Sequence, residues 1–179
     1  MKTRYLIFIF SIALLFSCKE PIARRPKQHG TQNFYEEVLE KNKKLNALEK
    51  MRLEKWISQD TVTNYISSAQ GFWYTYKIKD TLATSVFPKI EDEVTIVYDI
   101  VAMNGDTLYK KQERKYIIDK EDFIPALQDG IKLMKKGETI TFVIPSYRAF
   151  GVSGDGNKIG INQPIKSTVT LLDIIKLEE

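Results

Sequence analysis

Residues 142–151 read F-V-I-P-S-Y-R-A-F-G, a β-branched run that ends in a turn between a proline and a glycine. Turns are normally built from small and polar residues that water can solvate. This one carries two aromatic residues, Tyr147 and Phe150. Two aromatic side chains in a turn need a physical reason, and the sequence pattern on either side of the turn indicates what that reason is.

Beyond residue 60 the chain consists of short runs rich in β-branched and aromatic residues, separated by turn residues, which is typical of strands. The runs are Y-I-S-S-A-Q-G-F-W-Y-T-Y-K-I (65–78), V-T-I-V-Y-D-I-V (94–101), R-K-Y-I-I (114–118), T-I-T-F-V-I-P (139–145) and T-V-T-L-L-D-I-I-K-L (168–177). One helical insertion, D-F-I-P-A-L-Q-D-G-I (122–131), has Pro125 in its first turn and Gly130 near its end. The pattern predicts an α+β domain over residues 61–179, with about five antiparallel strands and one short helix.

The preceding segment, residues 33–60, is predicted to be a helical arm, because residues 33–58 contain no Gly or Pro and many helix formers. Its large apolar residues form a sparse stripe of Phe34, Val38, Leu45, Leu48 and Trp56. Two interpretations stay open. The arm packs loosely on the domain, or it forms a homodimer through residues 33–58.

The N-terminus has the pattern of a secretory signal peptide, residues 1–17. A charged M-K-T-R precedes a twelve-residue apolar run (5–16), which is too short to span a membrane.

The sequence L-F-S-C (15–18) resembles the bacterial lipobox, a cleavage site before a cysteine that becomes lipid-modified. Cys18 is the only cysteine of the chain, and lipidation accounts for an unpaired cysteine in an exported protein. Lys19, at a position where aspartate would signal retention in the inner membrane, favours anchoring in the outer membrane, with the domain in the periplasm.

Residues 18–32 contain two prolines, a glycine and one large aliphatic residue, and are predicted to be a flexible tether. His29, the only histidine, lies in it, so the sequence predicts neither a histidine metal site nor a histidine-dependent nucleophile. No cofactor is expected. The formal net charge of the chain is +4, and loss of Lys2 and Arg4 with the leader would halve it, which provides no electrostatic reason to propose nucleic-acid binding.

Four stretches occur in an order that resembles the FKBP-type peptidyl-prolyl isomerases. They are V-T-I-V-Y-D-I-V-A-M-N-G-D-T-L-Y (94–109), F-I-P-A-L-Q-D-G-I-K-L-M-K-K-G-E (123–138), F-V-I-P-S-Y-R-A-F-G (142–151) and T-V-T-L-L-D-I-I-K-L-E (168–178). The similarity spans roughly residues 71–179. Together with the lipobox and the helical arm, the chain resembles the gliding-motility-associated isomerase lipoproteins of Bacteroidetes.

The resemblance implies an antiparallel half-barrel sheet wrapped around a short helix, with an apolar pocket that receives a proline ring. The expected substrates are proline-containing polypeptides, and the expected role is to assist folding of exported proteins, gliding-motility components among them. Residues 151–160 are expected to form a flexible flap over the pocket.

Carried over position by position, the resemblance implies catalytic roles for Tyr98, the backbone amide of Ile124 and Phe150. It implies substrate binding by Leu108, Tyr109, Tyr116, Phe123, Leu127, Ile161 and Thr170. Arg114 is the alternative to Tyr116, because the register of that strand is uncertain by two residues.

The chain also departs from the family pattern. Tyr109 replaces an aspartate, Phe150 replaces a tyrosine and Leu127 replaces a tryptophan. The first two changes each remove a hydrogen bond with a net contribution of about 0.5–1.5 kcal/mol, so we expect a reduced isomerase rate. The alternative is a non-catalytic or weakly catalytic chaperone or assembly module that binds partner proteins through the same pocket.

Overall fold

The computed structural model describes residues 31–81 and 86–176. The chain divides into two compact units, Met1–Glu40 and Lys41–Glu179, and the described part of the first unit, residues 31–40, is helical. The predicted signal peptide, Cys18 and residues 18–30 of the predicted tether lie outside the described residues. None of the described helices combines the length and the apolarity that a membrane span requires.

The predicted helical arm is confirmed as helix α1, Thr31–Gln59. It ends at Asp60, whose carboxylate accepts the backbone N–H groups of Val62 (3.1 Å) and Thr63 (3.0 Å) and so turns the chain out of the helix. The second half of α1 belongs to the same compact unit as the sheet.

Six strands form one sheet in which all neighbours are antiparallel, in the order β1-β2-β5-β6-β3-β4. The strands are β1 (Ile66–Ser67), β2 (Trp73–Ile78), β3 (Glu93–Ala102), β4 (Thr107–Ile117), β5 (Thr139–Ile144) and β6 (Ile165–Ile175). Helix α2 (Pro125–Ile131) lies between β4 and β5 in the chain. The predicted α+β class is therefore confirmed. The run predicted as one strand over 65–78 is instead a hairpin, closed where the N–H of Ser68 donates to the carbonyl of Phe72 (2.8 Å).

Both faces of the sheet carry buried apolar side chains. The inner face carries the main core, which includes Val94, Ile96, Ile140, Phe142, Ile165, Val169 and Leu171 together with the buried side of α2. The outer face carries a smaller cluster, in which Trp73 and Val143 of the sheet pack with Leu53 of α1. Residues that alternate along one strand therefore serve two cores, as Phe142 and Val143 do.

Helix α2 has only seven residues, too few to be stable in isolation. Pro125 starts it at a position where a missing N–H costs nothing, and Leu127, Gly130 and Ile131 are buried against the sheet. A Cβ at Gly130 would lie 2.5 Å from Cε1 of Phe142, so glycine is the residue that lets the helix approach β5 this closely.

Gly130→Ala is expected to destabilise the domain by about 1–3 kcal/mol through overpacking against Phe142, partly offset by about 1 kcal/mol of better helix propensity. Urea unfolding followed by circular dichroism measures this. Phe142→Leu is the matched background, because it removes the ring that a Cβ would meet. Gly130→Ala should be harmless or stabilising in that background, and an equal penalty in both would contradict the packing assignment.

Candidate active site: an apolar cavity on the inner face of the sheet

A cavity of about 530 Å³ opens on the inner face, between β3, β4, the start of α2 and the turn after β5. This volume is in the range that holds a small organic ligand. Its apolar lining consists of Tyr98, Ile100, Phe123, Ile124, Pro125, Ala149 and Phe150. Its polar lining consists of Tyr109, Gln112, Arg114, Asp122, Asp155 and Asn157.

An aromatic cluster forms one wall. The Tyr98 and Phe123 rings meet edge to face, with centroids 5.2 Å apart and an interplanar angle of 84°, a favourable arrangement for aromatic pairs. The Arg114 guanidinium lies 4.7 Å from the centroid of Phe123, and its Nη2 donates to the carbonyl of Asp122 (3.0 Å). The arginine thus covers the Phe123 ring while its charge reaches the edge of the cavity.

A β-bulge in β4 selects which of its side chains face the cavity. Tyr98 pairs with Gln112, but Ile100 pairs with Tyr109, so β4 has one more residue than β3 between these pairs. Tyr109 and Gln112 are three positions apart, and in a regular strand such residues would point to opposite faces, because side chains alternate. The bulge therefore brings Tyr109 to the same wall as Gln112 and Arg114.

Ile124 is the residue directly before α2. Its carbonyl accepts the N–H groups of Leu127 (2.8 Å) and Gln128 (3.0 Å). Pro125 has no N–H to donate. The amide of Ile124 is therefore the last main-chain donor before the helix on this wall.

The turn after β5 forms the opposite wall. A 3₁₀ turn, Ser146–Arg148, is followed directly by the lining residues Ala149 and Phe150. From this turn Nη2 of Arg148 donates to Oδ2 of Asp129 on α2 (2.5 Å). The turn and α2, which carry facing walls, are thus held together by an ion pair.

A second polar link joins β4 to the loop 151–160. The Tyr109 hydroxyl donates to Oδ2 of Asp155, while Oδ1 of Asp155 accepts the N–H groups of Asn157 (2.9 Å) and Ile159 (2.8 Å). Partial burial by itself would raise the pKa of Asp155, but the bonds from Tyr109, Ile159 and Asn157 outweigh it and the pKa is lowered. The pKa of Tyr109 is raised, chiefly because its hydroxyl proton is held by Asp155.

The structure brings five of the ten sequence-predicted pocket residues together around this cavity: Tyr98, Tyr109, Phe123, Ile124 and Phe150. Three others lie behind it. Tyr116 is fully buried with its ring 5.3 Å from that of Phe123, Leu127 is fully buried in the main core, and Leu108 packs partly buried against that core.

The remaining two residues are placed elsewhere. Ile161 is 70% exposed, and the isoleucine of this loop that enters the core is Ile159. Thr170 lies on the outer face, where its hydroxyl pairs with that of Thr139 (2.9 Å).

An inward-facing Thr170 requires regular alternation from the end of the last strand, but β6 contains an irregularity. Thr95 pairs with Asp173, whereas Ile96 pairs with Leu171, so Leu172 is one extra residue in β6. A slip of one residue reverses the face of every side chain beyond it, and Val169 takes the inner position instead.

The polar residues at the edge of the cavity were largely missed. Of Tyr116 and its alternative Arg114, the residue that lines the cavity is Arg114. Gln112 could have been found from the alternation with Arg114, two residues away. Asp122, Asp155 and Asn157 lie in loops, where sequence periodicity carries no information about direction.

Comparisons with known proteins agree on the kind of domain. Residues 84–172 match the family model described as FKBP-type peptidyl-prolyl cis-trans isomerase. Over 89 residues the chain is 32% identical to a protein of Neisseria meningitidis serogroup B named probable FKBP-type peptidyl-prolyl cis-trans isomerase FkpA. That match covers 49% of this chain and 33% of the relative.

The fold is also similar to a solved structure, a peptidyl-prolyl cis-trans isomerase from Pseudomonas syringae pv. tomato. The TM-score is 0.59 at 18% sequence identity, over 73% of this chain and 96% of the other. At 18% sequence identity, this similarity shows that the two proteins share a fold.

Tyr109→Phe is expected to raise the pKa of Asp155, because the carboxylate loses a hydrogen-bond donor. The lowered pKa of Asp155 means that its contribution to loop closure is present above its ordinary pKa of 3.8 and is lost as pH falls through the folded value. The variant should therefore lose amide protection at Asn157 and Ile159 at a higher pH than the wild type. Carboxyl-carbon NMR titration and hydrogen exchange measure both effects.

Tyr76→Phe is the control, since it removes another half-buried tyrosine hydroxyl, which bonds the carbonyl of Leu133 far along the chain. It should leave the titration of Asp155 unchanged. An unaltered Asp155 pKa in Tyr109→Phe would contradict the link.

Proposed function

Because this chain carries, over residues 84–172, a domain of the FKBP-type peptidyl-prolyl cis-trans isomerase family, we propose that it is a peptidyl-prolyl isomerase acting on proline-containing polypeptides. The observation that carries the proposal is the cavity. Tyr98, Phe123, Ile124 and Phe150 come from three separate segments of the chain and line one apolar space large enough for a proline ring.

The chemistry needs neither a nucleophile nor a metal. Rotation about an X-Pro bond faces a barrier of about 18–20 kcal/mol, because twisting destroys amide resonance. An apolar cavity shaped for the twisted amide binds it better than either planar isomer, and this difference in binding is the catalysis. In the proposed complex the proline ring contacts Phe123 and Phe150, and the Ile124 amide donates to the carbonyl before the proline.

The polar residues of the cavity supply a specific argument for the alternative, a weakly catalytic binding module. Phe150 offers no hydroxyl, and the Tyr109 hydroxyl is engaged by Asp155, so neither provides a free donor for substrate. Such a module would hold proline-containing segments of partner proteins and turn them over slowly.

We further propose that the domain is tethered to the bacterial outer membrane through lipid on Cys18 and assists folding of exported proteins in the periplasm. The support is the signal-peptide pattern, the lipobox-like L-F-S-C (15–18) and the unpaired cysteine. Gliding-motility components are proposed clients on the sequence resemblance alone. A homodimer through residues 33–58 stays a prediction.

The isomerase proposal is tested with a proline-containing peptide whose cis-to-trans exchange is followed with and without residues 31–179. Acceleration well above the uncatalysed rate is expected. Phe150→Ala should lower kcat/KM by on the order of tenfold or more, since it removes the aromatic wall that excludes water. Tyr98→Phe should cost less, because only a hydroxyl is lost.

Ile90→Ala is the control, as it truncates an apolar side chain that is exposed and outside the cavity. Retention of full activity by Phe150→Ala would refute the cavity assignment. Peptide binding by wild-type protein without acceleration would favour the binding module, and neither binding nor acceleration would remove both functions.

The anchor is tested by expressing the full sequence in a diderm bacterium and fractionating the envelope. The protein is expected in the outer-membrane fraction, with a mass increase of a diacylglyceryl group or more on Cys18 by mass spectrometry. Cys18→Ser should release it or leave the leader uncleaved, since several acyl chains are needed for stable anchoring. A mature protein with a free Cys18 thiol would contradict the proposal.

A further inference from the structure

A carboxylate from α1 reaches the turn that carries one wall of the cavity. Oε1 of Glu49 accepts the backbone N–H of Ser146 (2.6 Å), and Oε2 accepts the Ser146 hydroxyl (2.6 Å). The two residues are 97 positions apart in the chain. Hydrogen bonds to an ionised acceptor are shorter and stronger than neutral ones, and here both carboxylate oxygens are used.

Ser146 is the residue on which the turn depends. It is 2% exposed, and its carbonyl accepts the N–H groups of both Ala149 (2.9 Å) and Gly151 (2.8 Å). These two bonds enclose Phe150, so the position of Ser146 fixes where the cavity wall lies.

The turn lacks a cap of its own. Pro145 precedes it and makes no side-chain cap hydrogen bond, so the N–H of Ser146 needs an acceptor from elsewhere. Glu49 is that acceptor. Its carboxylate accepts the backbone N–H at the start of this turn, as the side chain of an N-cap Asp or Ser does at the start of an ordinary helix.

Glu49 is itself held in place by packing. Leu53, one helical turn further along the same face of α1, is 4% exposed in the cluster with Trp73 and Val143. On its other side the turn is bound to α2 through Arg148 and Asp129 (2.5 Å). The turn is therefore fixed between α1 and α2, one on each side of the sheet.

We infer that Glu49 is a positioning residue for the isomerase cavity, which places Phe150 through Ser146 and makes the second half of α1 part of the active unit. The inference rests on the proposed function. Glu49 lies outside residues 84–172, the part that matches the family, so a domain limited to that match would lack the group that holds its own cavity wall.

The test compares Glu49→Ala and Glu49→Gln in a chain that spans residues 31–179. The matched control is Glu54→Ala, on the same helix, where the carboxylate makes a solvent-exposed pair with Lys50 at 3.8 Å. For each variant kcat and KM for the proline peptide are measured separately. Amide hydrogen exchange of Ala149 and Gly151 is measured in the absence of peptide.

Glu49→Ala is expected to lower kcat/KM by on the order of tenfold, since small displacements of a binding wall have effects of this size. Amide exchange at Ala149 and Gly151 should accelerate while circular dichroism remains that of a folded protein. Glu49→Gln, whose amide oxygen still accepts the Ser146 N–H, should recover most of both properties. Glu54→Ala should match the wild type.

Unchanged exchange at Ala149 and Gly151 in Glu49→Ala, or kcat/KM within twofold of the wild type, would overturn the inference. If Glu49→Ala does not fold, Ser146→Ala provides the same readouts, because it removes the hydroxyl bond alone and should show a smaller change in the same direction. Equal behaviour of Ser146→Ala and the wild type would then overturn it. If the wild type is not an isomerase, the exchange readout still decides whether Glu49 positions the turn.

Discussion

The contact between α2 and β5 is the constraint on which the site depends. A seven-residue helix cannot persist without tertiary support, and its support is the inner face of the sheet, approached closely because residue 130 has no side chain to hold it away from Phe142. With the helix in this place, Ile124 and Pro125 stand at the cavity. The geometry of the candidate active site is thus a consequence of core packing.

The walls of the cavity also consist largely of residues that serve the core. Tyr98, Ile124 and Phe123 belong to the core or pack against it and also line the cavity. A reaction accelerated by desolvation and shape needs such side chains and little else. Polar groups serve mainly to hold the walls in position: Arg148 joins the turn to α2, and Tyr109 joins β4 to the loop.

Register shifts in the sheet explain which of the predicted residues the structure places at the cavity. Near a β-bulge, alternation along a strand does not give the face of a residue. The pairing of β3 with β4 contains two such register shifts, and its pairing with β6 contains one. Tyr98 and Phe150 match their motifs directly, so their placement does not depend on alternation across a bulge. Thr170, beyond the extra residue Leu172, lies on the outer face, whereas Tyr109 reaches the cavity because of the bulge in its own strand.

The sequence by itself determined the α+β class and most of the secondary structure, because apolar periodicity, the glycine-free arm and Pro125 act over a few residues at a time. It also pointed to five of the residues that line the cavity, since these lie in short motifs. Only the tertiary structure decided how the site is held together. Ser146 with Glu49 and Tyr109 with Asp155 are pairs separated by 97 and 46 positions, and a hydrogen bond over such a separation exists only after the sheet has brought its partners together.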